Sequence, residues 1–291
     1  MIANPAAGGG SGRKRAERAA SLLEEAGRRV DLRFTRRPGH GTDLAFRAVQ
    51  EGAGLLIGCG GDGTIRELLP ALAHGRTALG LIPAGTANDF ARAFRIPRRP
   101  AGAVRVLLRG RPSPVDLGRA GGKYFCTVAS FGFDAAVNHA VRTGQVPLSG
   151  TPGYLWAVFR QVARYPRPFV RLRGEFGEYE GRLLLAATGN TGWYGGGMKI
   201  LPQADPQDGR LDLCIVGPVS ASTVLRVLPR LFWGGHLAHP AVRMERSGWI
   251  EIDAPEPQFL YADGDYLGET PVRIEALPGA LSLVLPAHRV R

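Results

Sequence analysis

Two glycine-rich stretches in the first third of the chain contain the residue types that bind phosphate. The first, GGDGT at residues 60–64, follows the apolar run 55–57, and the second, PAGTANDFAR at residues 83–92, follows the apolar run 79–82. Glycine lets the backbone turn sharply and present N–H groups, and the N-terminus of a following helix adds positive potential. Because consecutive parallel strands end at the same edge of a sheet, we expect both loops to face one crevice.

These two stretches resemble motifs of the diacylglycerol kinase-like lipid kinases. This family includes soluble bacterial diacylglycerol kinases and, more distantly, sphingosine and ceramide kinases. NAD kinases and phosphofructokinases carry a loop similar to GGDGT, whereas GTANDFAR is more particular to the lipid kinases. The resemblance spans nearly the whole chain, from Asn4-Pro5 to a late Asp263-Gly264-Asp265. It implies transfer of the γ-phosphate of ATP to a lipid hydroxyl, with Mg²⁺ as cofactor and diacylglycerol or a related glycerolipid as the expected acceptor.

Phosphoryl transfer requires that the donor phosphates are held and their charge is screened. Backbone and hydroxyl groups of Gly61, Gly63 and Thr64 are candidates for phosphate contacts, and Gly85 and Thr86 are candidates on the facing loop. A further glycine-rich loop at residues 6–12 belongs to the same nucleotide side. By resemblance, Thr35 lies near the adenine and ribose, although a strand-end threonine facing solvent explains it equally well. The complete set of predicted nucleotide contacts is Thr35, Gly61, Asp62, Gly63, Thr64, Glu67, Gly85, Thr86 and Asn88.

Three aspartates occur where predicted strands end, and they indicate a metal site. Asp62, Asp89 and Asp116 would repel one another at one sheet edge without a cation, so we expect Mg²⁺ there, directly bound or through water. The resemblance agrees, since relatives place an acidic network at these motif positions. Asp89 and its neighbour Asn88 could instead serve only to cap a helix.

A second metal site is implied by the resemblance. In relatives, the loop that matches residues 202–212 holds a structural Mg²⁺. Carried over to this chain, the carboxylate of Asp208 and the backbone oxygens of Asp205 and Arg210 would be its ligands. An ordinary Asp-Gly turn is the alternative interpretation of the same residues.

The acceptor side needs a base, and the candidates are Asp263 and Asp265. Taken alone, Asp263-Gly264 predicts a hairpin turn. In the lipid kinases, however, an Asp-Gly-Glu in this setting deprotonates the lipid hydroxyl. Here the third residue is Asp265, whose side chain is one methylene shorter than Glu, so the choice between the two aspartates stays open. The rival functions are a kinase of a soluble acceptor, similar to NAD kinase, and a nucleotide-binding regulatory protein that has lost catalysis.

The order of predicted elements indicates two domains within the 291 residues. Strands and helices alternate up to residues 112–118, including a strand predicted over 29–34 and a helix over 42–50 capped by Thr42. Strands dominate beyond, among them those predicted over 123–129, 272–275 and 281–285, with helical insertions predicted near 154–165 and 221–232. We predict a doubly wound, Rossmann-like α/β nucleotide domain over 1–116, similar to NAD kinases and phosphofructokinases, and a mostly antiparallel, β-rich lipid-substrate domain over 117–291. The last few residues are expected to return to the first domain, and the active site is expected in the cleft between the domains.

Bulk properties restrict the partners and the location of the protein. The formal net charge is +12, which favours anionic partners such as ATP or an acidic lipid surface. No nucleic-acid-binding signature accompanies this charge, so nucleic acid is not an expected partner. Cys59, Cys126 and Cys214 are widely spaced in apolar runs and are predicted to be reduced core residues. Without an 18-residue apolar run or a secretory signal, the expected location is cytoplasmic, with transient peripheral membrane association. The sequence leaves a homo-oligomer open.

Overall fold

The computed structural model describes residues 1–143, 156 and 158–287. The chain forms two compact units. The N-terminal unit contains Met1–Leu117 and the chain from Pro278 onward, and the C-terminal unit contains Gly118–Leu277. Residues 154, 155 and 157 of the predicted helical segment 154–165 lie outside the described part, whereas 156 and 158–161 are helical.

The N-terminal unit alternates strands and helices as predicted. Its elements are β1 (Ile2–Ala3), α1 (Gly12–Glu25), β2 (Arg33–Phe34), α2 (His40–Gln50), β3 (Leu55–Gly60), α3 (Asp62–Leu72), β4 (Ala78–Pro83), α4 (Asp89–Ala93) and α5 (Pro100–Arg109). The strands are parallel in the order β2-β1-β3-β4. Helix α1 packs against α5, and α2 packs against α3. Strands β3 and β4 are apolar and almost entirely buried, as expected for a parallel sheet covered by helices on both faces.

Two local predictions in this unit were wrong. The strand predicted over residues 29–34 is only two residues long, because only Arg33 and Phe34 pair with β1. Helix α2 begins at His40 after Gly39, which adopts a left-handed conformation with φ of 79°. Thr42, predicted as its cap, therefore lies inside the helix, where its hydroxyl donates to the carbonyl oxygen of Glu67 at 2.7 Å.

Strands dominate the second half of the chain. Its elements are β5 (Arg111–Ala120), β6 (Lys123–Phe125), β7 (Val128–Gly132), α6 (Phe133–Arg142), β8 (Phe169–Gly174), β9 (Gly177–Arg182), β10 (Leu185–Gly189), β11 (Leu211–Val216), α7 (Ala221–Val227), two 3₁₀ turns (Leu228–Trp233 and Gly235–Ala238), β12 (Val242–Ser247), β13 (Trp249–Asp253), β14 (Phe259–Ala262), β15 (Asp265–Glu269) and β16 (Val272–Leu285).

The C-terminal unit is a sandwich of antiparallel strands. Six strands form one sheet in the order β12-β11-β10-β7-β14-β15, and β13 pairs with β8 and with the first residues of β16. Apolar side chains of the two layers pack against each other, including Phe131, Leu213 and Leu260 from the first and Leu172 and Ile250 from the second. The predicted fold class, a doubly wound α/β half followed by a mostly antiparallel β half, is confirmed.

Several boundaries in the second half differ from the prediction. The single strand predicted over 123–129 is interrupted at Cys126 and Thr127, and helix α6 was not predicted. The strands predicted over 272–275 and 281–285 are one continuous β16, whose early residues pair with β13 and whose Leu283 pairs with Leu79 of β4. Pro278 and Gly279 suggested a break because neither favours a strand interior. Within the described ranges, no helix has the length and apolar character needed to cross a bilayer. All three cysteines are buried and free, as predicted.

Candidate active site

The two glycine motifs contact each other directly in the N-terminal unit. A Cβ added to Gly85 would lie 2.4 Å from the Cα of Gly61, so a side chain at position 85 does not fit against the facing loop. The backbone N–H of Ala84 donates to the carbonyl oxygen of Gly60 at 2.8 Å. The motifs following β3 and β4 are therefore in backbone contact at the carboxyl ends of these neighbouring parallel strands.

The third glycine-rich loop lies at the same edge. A Cβ on Gly8 would lie 2.3 Å from the carbonyl oxygen of Ala84, which places this loop against the end of β4. Gly8, Gly9 and Gly10 all have positive φ, between 58° and 91°. The N–H of Gly10 donates to the carbonyl oxygen of Ala6 at 3.2 Å, so the N–H groups of Gly8 and Gly9 are the candidates for a concave anion site. Three glycine-rich loops thus meet around the ends of β1, β3 and β4.

Asn88 determines the shape of the second motif. It precedes α4 in a left-handed conformation with φ of 54°. Its side-chain oxygen accepts from the N–H of Gly85 at 2.8 Å, and its amide donates to the carbonyl oxygen of the same residue at 2.6 Å. The asparagine therefore closes the loop on itself, and its contact with a nucleotide stays a prediction.

Asp62 links the first motif to the second. Its two carboxylate oxygens accept from the N–H groups of Asp89 and Phe90, each at 3.1 Å. These are the first two residues of α4, so Asp62 provides the side-chain cap that Asn88 does not supply to this helix. Asp89 is itself 3% exposed and forms an ion pair with Arg92. Sequence reasoning placed Asp62 and Asp89 near each other but missed this hydrogen bonding.

The predicted magnesium site of Asp62, Asp89 and Asp116 stays a prediction. Asp116 is also 3% exposed and accepts from the N–H of Gly279 at 2.7 Å. Over the described ranges, no group of three or more His, Cys, Asp or Glu side chains is arranged to hold a metal ion. The donor types nevertheless fit Mg²⁺, because carboxylate oxygens are its preferred ligands and each oxygen has a second lone pair beyond the one used by an N–H.

The other predicted nucleotide contacts differ in how accessible they are. Gly63 and Thr86 are exposed, and a Cβ on Gly63 would meet no atom of the described residues within 4 Å. Thr64 is 7% exposed, and its hydroxyl accepts from the side-chain amide of Asn4 at 3.5 Å. Glu67 accepts from two N–H groups at the start of α2, at 2.9 and 2.8 Å. Thr35 is half-buried and donates its N–H to β1.

Two arginines contact the second motif, although sequence reasoning did not assign them to it. Arg15 donates to the carbonyl oxygens of Pro83 at 3.3 Å and of Arg98 at 2.9 Å. Arg98 in turn donates to the carbonyl oxygens of Gly85 and Thr86 at 3.3 and 3.2 Å. Arg15 and Pro83 are 68 residues apart in the sequence, so only the folded chain reveals their contact. Both guanidinium groups bring positive charge to the loop.

Asp263 occupies the hairpin turn between β14 and β15 with a left-handed φ of 51°. One carboxylate oxygen accepts from the N–H of Thr127 at 2.9 Å and from its hydroxyl, and the other accepts from the N–H of Cys126 at 2.8 Å. The carboxylate therefore fixes the interruption between β6 and β7. Asp265 is half-buried at the first position of β15. Nothing in sequence order signalled that residues 126 and 127 hold Asp263.

The loop at residues 205–210 forms two turns closed by aspartates. Asp205 accepts from the N–H of Gln207 at 3.2 Å, and Asp208 accepts from the N–H of Arg210 at 3.0 Å. Asp208 also forms an ion pair with Arg246. These contacts include the Asp-Gly turn that the alternative interpretation described, and they leave the structural Mg²⁺ as a prediction.

Asp212 provides an observation that fits a cation beside this loop. Its side chain is 3% exposed, its Oδ1 lies 3.7 Å from Nε of Arg246, and its Oδ2 has no hydrogen-bond partner among the described residues. Burial, and secondarily the charge of Asp205, raise the pKa of Asp212 to about 6. A buried carboxylate with an unpartnered oxygen is destabilised when ionised, and a nearby cation would relieve this.

An apolar cavity lies within the C-terminal unit. Its volume is about 70 Å³. Its wall combines Phe133, Leu184, Val216, Val224 and Leu228, which come from α6, the residue preceding β10, β11, α7 and the first 3₁₀ turn. Sequence reasoning did not find this cavity, because its wall residues come from segments far apart in the chain.

A few polar groups also line the cavity. Asp134 is 2% exposed and accepts from the hydroxyl of Ser130, from the amide of Asn138 at 3.3 Å and from the hydroxyl of Tyr194 at 3.5 Å. The remaining wall is predominantly aliphatic. The cavity is therefore suited to a hydrocarbon chain.

The chain is similar to known lipid kinases over nearly its full length. Residues 1–120 match the diacylglycerol kinase catalytic domain, and residues 127–285 match the YegS C-terminal NAD kinase beta sandwich-like domain. A diacylglycerol kinase of Mycobacterium tuberculosis is 35% identical, covering 99% of this chain and 94% of the relative. A probable lipid kinase YegS-like of Pseudomonas aeruginosa is 33% identical, covering 95% and 91%. A solved structure of a diacylglycerol kinase from Bacillus anthracis aligns with a TM-score of 0.81 at 25% identity, covering 99% of this chain and 97% of that one.

Proposed function

Because the chain belongs to the family of diacylglycerol kinases and YegS-like lipid kinases, we propose that it transfers the γ-phosphate of ATP to a lipid hydroxyl. The proposed acceptor is diacylglycerol or a related glycerolipid. The observation that carries the lipid part is the apolar cavity of the C-terminal unit, since a soluble acceptor such as NAD has no hydrocarbon chain to place there.

The donor side of the proposal rests on the three glycine-rich loops. The N–H groups of Gly8, Gly9, Gly61 and Gly63 bind the phosphates, and Arg15 and Arg98 favour the anionic ligand electrostatically. Exposed Thr86 adds a hydroxyl at the facing loop. This arrangement positions the γ-phosphate without a covalent intermediate, as phosphoryl transfer requires.

Mg²⁺, when bound, neutralises charge on the phosphates. Asp62, Asp89 and Asp116 are the proposed ligands, because carboxylate oxygens are the donors that Mg²⁺ prefers. A second, structural Mg²⁺ is proposed at Asp208 and at the backbone oxygens of Asp205 and Arg210. The unpartnered Oδ2 of nearby Asp212 supports a cation in that region.

Proton removal is assigned to the Asp263-Gly264-Asp265 turn. One of the two carboxylates accepts the proton of the lipid hydroxyl, the resulting oxygen attacks the γ-phosphorus, and ADP leaves. The two aspartates are separable by mutation. Asp263 holds Cys126 and Thr127, so replacing it disturbs structure as well as chemistry, whereas Asp265→Asn leaves the hydrogen bonds among those three residues in place.

Contact with an anionic bilayer is proposed for the part of the C-terminal unit that surrounds the apolar cavity. Phe159, Trp233 and Phe232 are 70%, 68% and 48% exposed, which is unusual for large apolar side chains. Their sequence neighbours line the cavity, and Arg160 and Arg230 are exposed beside them. Exposed aromatic and basic residues of this kind favour peripheral contact with acidic lipid.

A lipid panel with radiolabelled ATP and Mg²⁺ tests the proposal. Dioleoylglycerol, a polyprenol and sphingosine are presented in phosphatidylglycerol vesicles, and NAD is presented without vesicles. We expect labelling of the glycerolipid. If Asp265 is the base, Asp265→Asn should lower kcat at least about 100-fold. The control Asp253→Asn should keep normal activity, because its carboxylate is exposed at the end of β13. ATP binding without transfer to any lipid would refute the lipid kinase, and turnover of NAD would favour the soluble rival.

A further inference from the structure

The tip of the hairpin that carries the proposed base has few backbone pairs of its own. Strand β15 is the last strand of the six-stranded sheet, where β14 is its neighbour. Tyr261 pairs with Tyr266 and Ala262 pairs with Asp265, and the register shifts between Leu260 and Tyr261. A shift of this kind interrupts the hydrogen bonds of the ladder. The strand that carries Asp265 therefore depends on side-chain contacts as well as on its pairing with β14.

Aromatic side chains supply such contacts next to Asp265. The ring of Tyr266 lies 5.7 Å from the ring of Tyr261 and 6.2 Å from the ring of Phe259, measured between centroids, and both pairs meet edge to face. This is a preferred arrangement of aromatic pairs. Because Tyr266 directly follows Asp265, the rings of Phe259 and Tyr261 help to fix this end of β15.

One side chain of helix α6 contacts both of these rings. His139 stacks on Phe259, with ring centroids 4.2 Å apart and an angle of 8° between the planes. Its Nδ1 is 3.0 Å from the hydroxyl oxygen of Tyr261, whose side chain is buried. His139 therefore connects α6 to the two rings on which Tyr266 packs.

The hydrogen bond, rather than the stack, is what a histidine adds at position 139. A phenylalanine there could also stack on Phe259, but it has no nitrogen to bond Tyr261. A phenol hydroxyl both donates and accepts, so it can bond Nδ1 whether or not that nitrogen carries a proton. The bond is therefore available to every protonation state of the imidazole ring.

We propose that His139 is a positioning residue for the Asp263-Gly264-Asp265 turn, and that its hydrogen bond with Tyr261 holds the hairpin tip where the turn removes the proton of the acceptor. The inference rests on the proposed function, which assigns proton removal to that turn. A base must lie within hydrogen-bond reach of the proton that it accepts. A displacement of about 1 Å can lower a rate about 100-fold, so a bond that fixes the tip should affect kcat.

Two substitutions of His139 separate the hydrogen bond from the packing. His139→Phe keeps an aromatic ring for the stack and loses the hydrogen bond, whereas His139→Asn keeps a polar atom near the position of Nδ1 and loses the stack. Transfer of labelled phosphate from ATP to dioleoylglycerol in phosphatidylglycerol vesicles gives kcat and the KM for ATP.

We expect kcat to be about two- to tenfold lower in His139→Phe, the range that one hydrogen bond represents, and closer to wild type in His139→Asn. A role in packing alone predicts the reverse order of the two variants. The KM for ATP should stay unchanged, because the glycine-rich loops lie in the N-terminal unit.

The other end of the bond provides a second comparison. Tyr261→Phe should lower kcat as much as His139→Phe, and the double variant should lower it no further, because both changes remove the same hydrogen bond. The matched control is Tyr179→Phe, which removes a tyrosine hydroxyl that donates to the carbonyl oxygen of Arg182 at 2.9 Å within β9. Its kcat should equal that of the wild type.

Hydrogen exchange of the hairpin amides tests the contact without any turnover. Residues 259–269 should exchange faster in His139→Phe than in the wild type. With an active wild type, an unchanged kcat in His139→Phe, or a lower kcat in His139→Asn than in His139→Phe, would overturn the inference and leave the proposed function standing. A wild-type protein that transfers phosphate to no lipid would contradict the proposed function, and unchanged exchange in His139→Phe would then overturn the inference as well.

Discussion

Replacing Asp62 with alanine should destabilise the N-terminal unit even in the absence of nucleotide and metal. The change removes both acceptors from the N–H groups of Asp89 and Phe90, each 3.1 Å away, at the start of α4. Loss of a helix cap costs about 0.5–2 kcal/mol, and loss of a negative charge near a helix N-terminus adds about 0.3–1 kcal/mol. We therefore expect a loss of roughly 2 kcal/mol.

The measurement is thermal unfolding without ligand. At about 2–4 °C for each kcal/mol, Tm should fall by about 4–8 °C in Asp62→Ala. Asp62→Asn keeps one carbonyl acceptor and should lose about half as much. The control is Asp43→Ala, whose carboxylate pairs with Arg37 at 2.9 Å on the surface. Exposed ion pairs contribute about 0–1 kcal/mol, and the position of Asp43 in the first turn of α2 adds about 0.3–1 kcal/mol, so its Tm should fall less than that of Asp62→Ala. An unchanged Tm in Asp62→Ala would refute the capping role and leave Asp62 with a purely ligand-binding one.

Three further outcomes are expected. Because burial raises the pKa of Asp212 to about 6, the folded state binds its proton more tightly than the unfolded chain, and the resulting stability is lost as pH rises from about 4 through 6. In EDTA, Asp212→Asn should therefore be more stable than wild type by about 1–3 kcal/mol at pH 7.5 and equally stable at pH 4. Urea unfolding measures both, and equal stability of the two proteins at both pH values would contradict the expectation. Gly85→Ala should lower the free energy of unfolding by about 1–3 kcal/mol and weaken ATP binding, because its Cβ would lie 2.4 Å from the backbone of the facing loop. Gly63→Ala should keep the Tm of the wild type, because its Cβ meets no described atom within 4 Å. Thermal unfolding and calorimetric titration with ATP measure these effects. Burial raises the pKa of Cys59 and Cys214 to about 12, so neither should react with a maleimide at pH 8 until the protein is unfolded, and rapid labelling of the native protein, detected by peptide mass, would disprove their burial.

The hydrogen bonds of Asp263 affect which variants can identify the proposed catalytic base. Its carboxylate accepts from two backbone N–H groups and one hydroxyl at residues 126 and 127, so lost activity in Asp263→Ala would not distinguish a missing base from a displaced strand. Asp265→Asn leaves these hydrogen bonds of Asp263 in place. Thermal unfolding of both variants shows which loss of kcat is accompanied by a loss of structure.

The sequence alone determined the order of elements in the first half and the chemical character of its loops. Those features depend on residues close together in the chain: an apolar run of strand length, glycines that turn sharply, and a helix that follows within a few positions. The same local signals indicated a strand-rich second half and an Asp-Gly hairpin at residues 263 and 264, and the structure has both. Local patterns also identified the three cysteines as core residues.

Only the tertiary structure decided which distant residues share a site. Asp62 reaches the start of α4, residues 126 and 127 hold Asp263, and Arg15 reaches the second glycine motif, each across 27 to 137 positions of sequence. The apolar cavity and the contact of His139 with Tyr261 arise in the same way, from segments that meet only when the strands pair. Sequence periodicity reports which face of one element is buried, but it carries no information on which other element covers that face. The glycine-rich loops could therefore be predicted from the sequence, whereas the apolar cavity could not.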